Sequence, residues 1–359
     1  MTNTRRSRGS NQEAGVVGRR RILRAASALT VGAAAGTLGF PAIVRSQQTK
    51  RFLKPIVAGL NAKDGDPTYN SIALVPKILR EKYDVQVDFQ IHPASSLGTD
   101  LSQLDAVQTG FIDITSNTTQ QFSQYDRSFD VMDLPYIFTD WDMFYRVAKS
   151  DVWRRQAAAF ESKVPLKVLP PVGSGGFRLL SNNVRRLPDP EAVNGLKFRS
   201  LTAALDVEMF KAWHANPTPM PWTEVYTALQ QGVVNGYHVQ PIWTYQFKHY
   251  EVLKYATEVK AIFSIQFQVM NMNTWKSIPA AIQKPMLMAF EEAAQIANQQ
   301  DQTSEERYKG ELKQKAMEIY TPSAGEMKKW RDAGESVWNT AGKDIDKGLI
   351  ASLVKMRGT

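Results

Sequence analysis

Between Pro279 and Met317 the chain runs for about 39 residues almost without a helix breaker. At 1.5 Å per residue a helix of that length spans roughly 55 to 60 Å, unusually long for a single globular domain. An element of that reach suits a molecule in which it braces two domains at once. A chain of 359 residues is long enough to supply both.

The segments upstream read as alternating strands and helices. Lys54 to Leu60 (KPIVAGL) is a buried strand that delivers Asn61 at its end. Tyr69 to Tyr83 is helical, with Ile72, Val75, Ile78 and Leu79 at helical spacing, and Val85 to Ile91 (VQVDFQI) alternates strictly as a strand. Strand, helix, strand opens an α/β domain. A loop, His92 to Gly98, leads to a helix through Leu101, Leu104 and Val107 that Gly110 terminates. The strand Ile112 to Ser116 then runs into a neutral polar cluster, Asn117 to Gln121. After a strand at Val164 to Leu169, the glycines of Gly173 to Gly176 (GSGG) break the pattern and mark a flexible crossing between domains. Beyond it come strands at Phe177 to Leu180 and Gly195 to Arg199 and a helix at Ala203 to Trp213. Asn216 to Trp222 holds three alternating prolines and cannot be helical. Thr223 is a natural cap for the helix that follows.

The net charge of +9 invites a nucleic-acid reading, but its distribution opposes one. Eight arginines and one glutamate precede Gln47, a net of +7, so the remaining 313 residues carry only +2. A nearly neutral body offers no basic stripe for a nucleic acid. Within the first 46 residues, Arg19 to Arg24 spell RRRILR ahead of an Ala- and Gly-rich run ending near Val44. That pattern resembles a twin-arginine export signal cleaved before Gln47, and it implies transient use of the twin-arginine machinery and a periplasmic destination. An uncleaved anchor is the alternative. Cysteine is absent, which removes disulfides, thiolate metal sites and cysteine nucleophiles together.

Catalytic chemistry finds little support. None of the four histidines (His92, His214, His238, His249) forms a metal-binding pair, and no nucleophile elbow occurs. The GSGG run lacks the ending of a phosphate loop, and no cofactor motif is present. Two arginines differ from this background. Arg178 and Arg199 stand on short apolar strands on either side of one turn-rich connection. Ligands of open α/β sheets bind beyond the carboxyl ends of strands, where a guanidinium pairs bidentately with a carboxylate. Two solvated strand ends would show the same spacing.

Longer motifs bear on that choice. Asn216 to Gly236 (NPTPMPWTEVYTALQQGVVNG), PASSLG at Pro93, LPYIF at Leu134, GFRLLSN at Gly176 and GLKFR at Gly195 run in one order. Together they resemble the DctP-type substrate-binding proteins of tripartite ATP-independent periplasmic (TRAP) transporters. The resemblance implies an α/β, two-domain periplasmic binding protein of class II-like architecture, with a hinge, a ligand cleft between the domains and a long helix spanning both. Its expected division is 47–174 with 265–305, and 175–264 with 306–359.

The resemblance also implies a non-enzymatic receptor that captures a small organic acid and delivers it to TRAP membrane subunits. Arg199 becomes the carboxylate anchor, Arg178 a second contact and Trp222 an aromatic wall, with Asn61 and Gln266 as polar lining. Gly236 to Pro241 departs from the family pattern, so Gln240 or His238 takes the place of the usual amide. Thr118 and Gln121 represent the neutral cluster, which disfavours a ligand with an amine or a second strong charge. A receptor presenting its ligand to a sensor kinase, or an exported enzyme on the same scaffold, are the alternatives.

Overall fold

The computed structural model describes residues 50–358. The RRRILR run and the Ala- and Gly-rich segment, residues 1–46, lie outside the described residues. No helix among the described residues is long and apolar enough to cross a membrane.

Two six-stranded sheets organise this part of the chain. In the first, the order is Phe89–His92, Ile56–Leu60, Ile114–Thr118, Phe263–Asn271 and Leu166–Val168, with Val172–Phe177 also paired to Phe263–Asn271. In the second it is Asn216–Pro219, Lys197–Ser200, Gly236–Val239, Leu179–Asn182, Tyr255–Thr257 and Glu318–Tyr320. Three parallel strands of each sheet, Ile56–Leu60 with its two neighbours and Lys197–Ser200 with its two, carry the loops that form the site. Val172–Phe177 and Phe263–Asn271 lead the chain between the sheets, and Arg178 sits between the crossing strand and Leu179–Asn182. Gly175 and Gly176 both adopt left-handed backbone (φ +74° and +75°), which spares the strand a Cβ where Glu305 and Ile242 press on it.

The long helix spans Ala280–Gln314, 35 residues with Pro285 inside its second turn. Its N-terminal half buries Ile282, Met286, Ala289, Phe290 and Ala293 in a core shared with Ile56, Ala58 and Leu60 of the first sheet. Leu312, near the other end, joins the core of the second sheet beside Trp222, Tyr237 and Val239. One helix therefore contributes to both hydrophobic cores. The C-terminal segment also touches both regions: Trp330 stacks edge-on against Trp213, while Trp338 Nε1 donates to the Pro135 carbonyl at 2.9 Å.

Three local expectations are corrected. The helix expected over Tyr69–Tyr83 is two, Pro67–Ala73 and Val75–Tyr83, because Pro76 cannot supply an N–H to continue the first. The alternating run Val85–Ile91 is two strands with different partners: Val85–Gln86 pairs with Lys50–Arg51, and Phe89–His92 pairs with Ile56–Leu60. Thr223 does not cap a helix. It lies inside the short 3-10 turn Trp222–Glu224, which the preceding Pro221 enters with extended backbone.

Candidate functional site

The carboxyl ends of the parallel strands face a narrow cavity of about 30 Å³, room for roughly one or two water molecules. The first sheet supplies Asn61, immediately after Ile56–Leu60, and Thr118, the last residue of Ile114–Thr118. Asp100 joins them as the first residue of the helix Asp100–Thr109, whose N-cap is Thr99. The second sheet supplies Arg199 from Lys197–Ser200, His238 and Gln240 from the end of Gly236–Val239, and Trp222 from the turn after the prolines.

Arg199 is 5% exposed, so it is not a solvated strand end. Its Nε donates to the Met220 carbonyl at 3.1 Å, and its Nη2 has no partner. The guanidinium carbon lies 5.8 Å from the centre of the Trp222 ring. Burial lowers the proton affinity of Arg199, Asp100 and Asp206 act the other way, and arginine stays charged throughout the working range of pH. Trp222 is itself packed among Trp243, Phe247 and His249, with centroids 4.8 to 5.1 Å away.

Arg178 is equally buried but differently employed. Its Nη1 donates to Gln120 Oε1 at 3.2 Å and stands 3.9 Å from Asp206 Oδ1. Asp206 in turn accepts from the Leu201 N–H at 2.7 Å. His238 is buried, and burial followed by the charge of Arg178 holds its proton affinity well below the usual histidine value. It is therefore a neutral ring with both a donor and an acceptor. Gln240 ties the cavity to the crossing strand, its Nε2 donating to Ser174 Oγ at 2.9 Å.

Of the residues singled out in the sequence, the cavity brings together Asn61, Thr118, Arg178, Arg199, Trp222, His238 and Gln240. Gln266 and Gln121 are buried outside its lining. Gln266 lies opposite Thr118 and Val172 in the first sheet, where its Oε1 accepts from Ser116 Oγ at 3.4 Å. Gln121 belongs to the short helix Thr119–Gln124. The cluster Asn117 to Gln121 is neutral, but the wall also holds an acidic residue that the sequence did not single out. Asp100 is a buried carboxylate whose Oδ1 accepts from Asn61 Nδ2 at 3.1 Å, and burial raises its proton affinity against the pull of Asn61 and Arg199. A helix-opening aspartate after a capping threonine reads as helix chemistry, which hid its second position on the cavity wall. A larger groove of about 910 Å³ lies elsewhere, between Asp151–Lys163 and the long helix, and two of its charges, Lys167 and Glu161, pair with each other.

Comparison with known proteins gives this geometry its context. The pattern of the bacterial extracellular solute-binding proteins of family 7 matches residues 58–344. The C4-dicarboxylate-binding periplasmic protein DctP of Rhodobacter capsulatus is 31% identical over 61% of this chain and 66% of its own. The 2,3-diketo-L-gulonate-binding periplasmic protein of Escherichia coli is 24% identical over 89% of this chain and 94% of its own. A TRAP periplasmic solute-binding protein from Sulfurospirillum deleyianum, solved with bound succinate, superposes with a TM-score of 0.80 at 25% identity, covering 86% of this chain and 100% of that one.

Proposed function

The chain belongs to the bacterial extracellular solute-binding proteins of family 7, and from that premise we propose how its cleft works. Members of this family are periplasmic binding proteins rather than enzymes, and TRAP solute-binding proteins bind carboxylates and serve a TRAP membrane permease. In this chain Arg199 anchors the carboxylate of a small organic acid, Trp222 covers one face of it, and Asn61, Thr118, His238 and Gln240 bond to its remaining polar atoms. Export through the twin-arginine machinery delivers the receptor to the periplasm.

One observation carries the reading: a buried guanidinium with an unpartnered Nη2 faces a cavity ringed by hydrogen-bonding groups. A cation held out of water with a free donor has a strong preference for an anionic partner. Because the cavity holds about 30 Å³, a four-carbon acid enters only when the two sheets part. The ligand then stabilises the narrow form by its greater affinity for that form. Micromolar binding needs only about −8 kcal/mol, within reach of one bidentate pair, a few hydrogen bonds and an aromatic contact.

A thermal-shift screen of organic acids tests the proposal, since a ligand specific to the folded state raises the melting temperature. At least one carboxylate is expected to do so, and Arg199→Met is expected to abolish the shift. A shift that persists in Arg199→Met removes Arg199 from the anchoring role.

A further inference from the structure

The two arginines of the cleft do not offer two free positive charges. Arg178 faces Asp206 at 3.9 Å, with both side chains no more than 4% exposed. Gln120 accepts from Arg178 and turns its amide toward Asp206 outside direct hydrogen-bonding geometry. Asp133 is a further buried carboxyl, 1% exposed and under the direct influence of Arg178, with Thr119, Asp130 and Asp206 as its other neighbours. Burial pushes Asp133 up to about 7, so near neutral pH it carries part of a negative charge. The positive charge of Arg178 is thus already answered from within the protein. Among the described residues Arg199 has no carboxylate within ion-pair distance and keeps a buried, unpartnered Nη2, and Asp100 stands in the same wall.

The unpartnered atoms of the wall state the rest of the requirement. Asn61 Oδ1 can only accept, and the Asp100 carboxylate accepts beyond its bond from Asn61. Thr118 Oγ1 and the ring nitrogen of neutral His238 that is not turned to the Arg178 backbone can each meet a ligand hydroxyl. A second ligand carboxylate has no donors to give and would bring its charge into a confined space beside Asp100. Like charges so placed carry a large penalty at low effective dielectric. A hydroxyl satisfies acceptors and donors alike and adds no charge.

We infer that the cleft selects monocarboxylates whose other polar groups donate hydrogen bonds, hydroxyls above all, and discriminates against dicarboxylates, an inference that rests on the carboxylate-binding reading above. Arg178, with Asp206 and Asp133, is on this view a neutralised unit that shapes the distal end of the site, while the anchoring charge comes from Arg199.

Matched acids that differ only by exchange of CH2OH for carboxylate separate the two cases. D-Erythronate against meso-tartrate, 4-hydroxybutyrate against succinate, and D-gluconate against D-glucarate form such pairs, titrated calorimetrically into the purified full chain at pH 7.5. Wherever a pair binds, the hydroxyl member is expected to bind at least about tenfold more tightly, a difference of about 1.4 kcal/mol. Asp206→Asn frees the charge of Arg178 and is expected to narrow that ratio by raising the affinity of the dicarboxylate. Asp133→Asn serves the same purpose if Asp206→Asn does not fold. Equal or tighter binding of the dicarboxylates, or a ratio unmoved by both variants, overturns the inference. If no pair binds, the hydroxylated class is refuted, yet any other acid found by thermal shift still upholds the broader reading. If no acid of any kind binds, both fall.

Discussion

At the residue scale, the two buried arginines make opposite predictions for stability. Arg178 lies against Asp206 and Gln120, so Arg178→Met leaves a buried carboxylate without its cation. Breaking a buried pair from one side costs about 3–5 kcal/mol. Arg199 has one hydrogen bond to a carbonyl and a free Nη2, so Arg199→Met relieves a desolvated charge and is expected to leave the stability of the ligand-free protein nearly unchanged. Binding follows the reverse order of clarity. Loss of the anchoring charge is expected to weaken the ligand by at least about a hundredfold, the range found for buried, hydrogen-bonded charge pairs. Urea denaturation and calorimetry on the two variants read these effects separately. An equal loss of stability in both would show that the unpaired Nη2 of Arg199 is not an energetic liability. The sequence displayed both arginines but not this difference between them. The partner of Arg178 in hydrogen bonding stands 58 positions away, and nothing local in FRLL or LKFRS announces it.

At the scale of elements, legibility tracked how local the determining forces are. The long helix is legible because helix formation rests on a local run of compatible residues, and Ala280–Gln314 provides one in which Pro285 and Gly310 are the sole breakers. The single strand expected over Val85–Ile91 is two in the structure, since alternation reports which side is buried and says nothing about which neighbour is paired. In the cleft, motif order placed seven of the nine nominated residues on the cavity wall. Gln266 and Gln121 stand on the right elements, yet a strand's pairing and a 3-10 turn direct them elsewhere. The crossing strand shows the same contrast in its glycines. Gly176 has φ +75°, and a Cβ there would lie 2.1 Å from Glu305 Oε2. Gly310, inside the long helix, has nothing within 4 Å of an added Cβ. Gly176→Ala is therefore expected to destabilise by about 1–3 kcal/mol, whereas Gly310→Ala should stabilise by up to about 1 kcal/mol. Shifts of the urea midpoint in opposite directions check the pair. Loss of stability in both would mean that the long helix tolerates no extra volume at Gly310.

At the scale of the whole molecule, burying a cleft between two sheets places titratable groups in low dielectric, and the fold's response to pH records it. Asp133 is pushed up to about 7 by burial, against an ordinary aspartate value near 3.8. Between those values the folded protein holds more protons on this group than the unfolded chain does, so its contribution to stability declines as pH rises from about 4 to 7. His249 lies under Trp222 and is pushed down to about 3 by burial, with Arg199 and Lys63 adding to the effect. From pH 6.5 down to about 3 the folded state holds fewer protons there than the unfolded chain, so stability is lost as pH falls through that window. The two groups oppose each other. Asp133→Asn should gain melting temperature relative to the parent as pH is raised from 4 to 7, and the gain should level off above 7. His249→Gln should gain relative to the parent as pH is lowered from 6.5, with the difference constant above 7. Melting curves of the ligand-free protein at half-unit intervals separate these slopes, because each variant is compared with the parent at the same pH and all other titrations cancel to first order. Parallel curves for Asp133→Asn would mean that water reaches Asp133 and that the floor beneath Arg178 is not dry. Asp133 would then be ionised throughout the neutral range and would answer the charge of Arg178 more fully than a partly protonated group does.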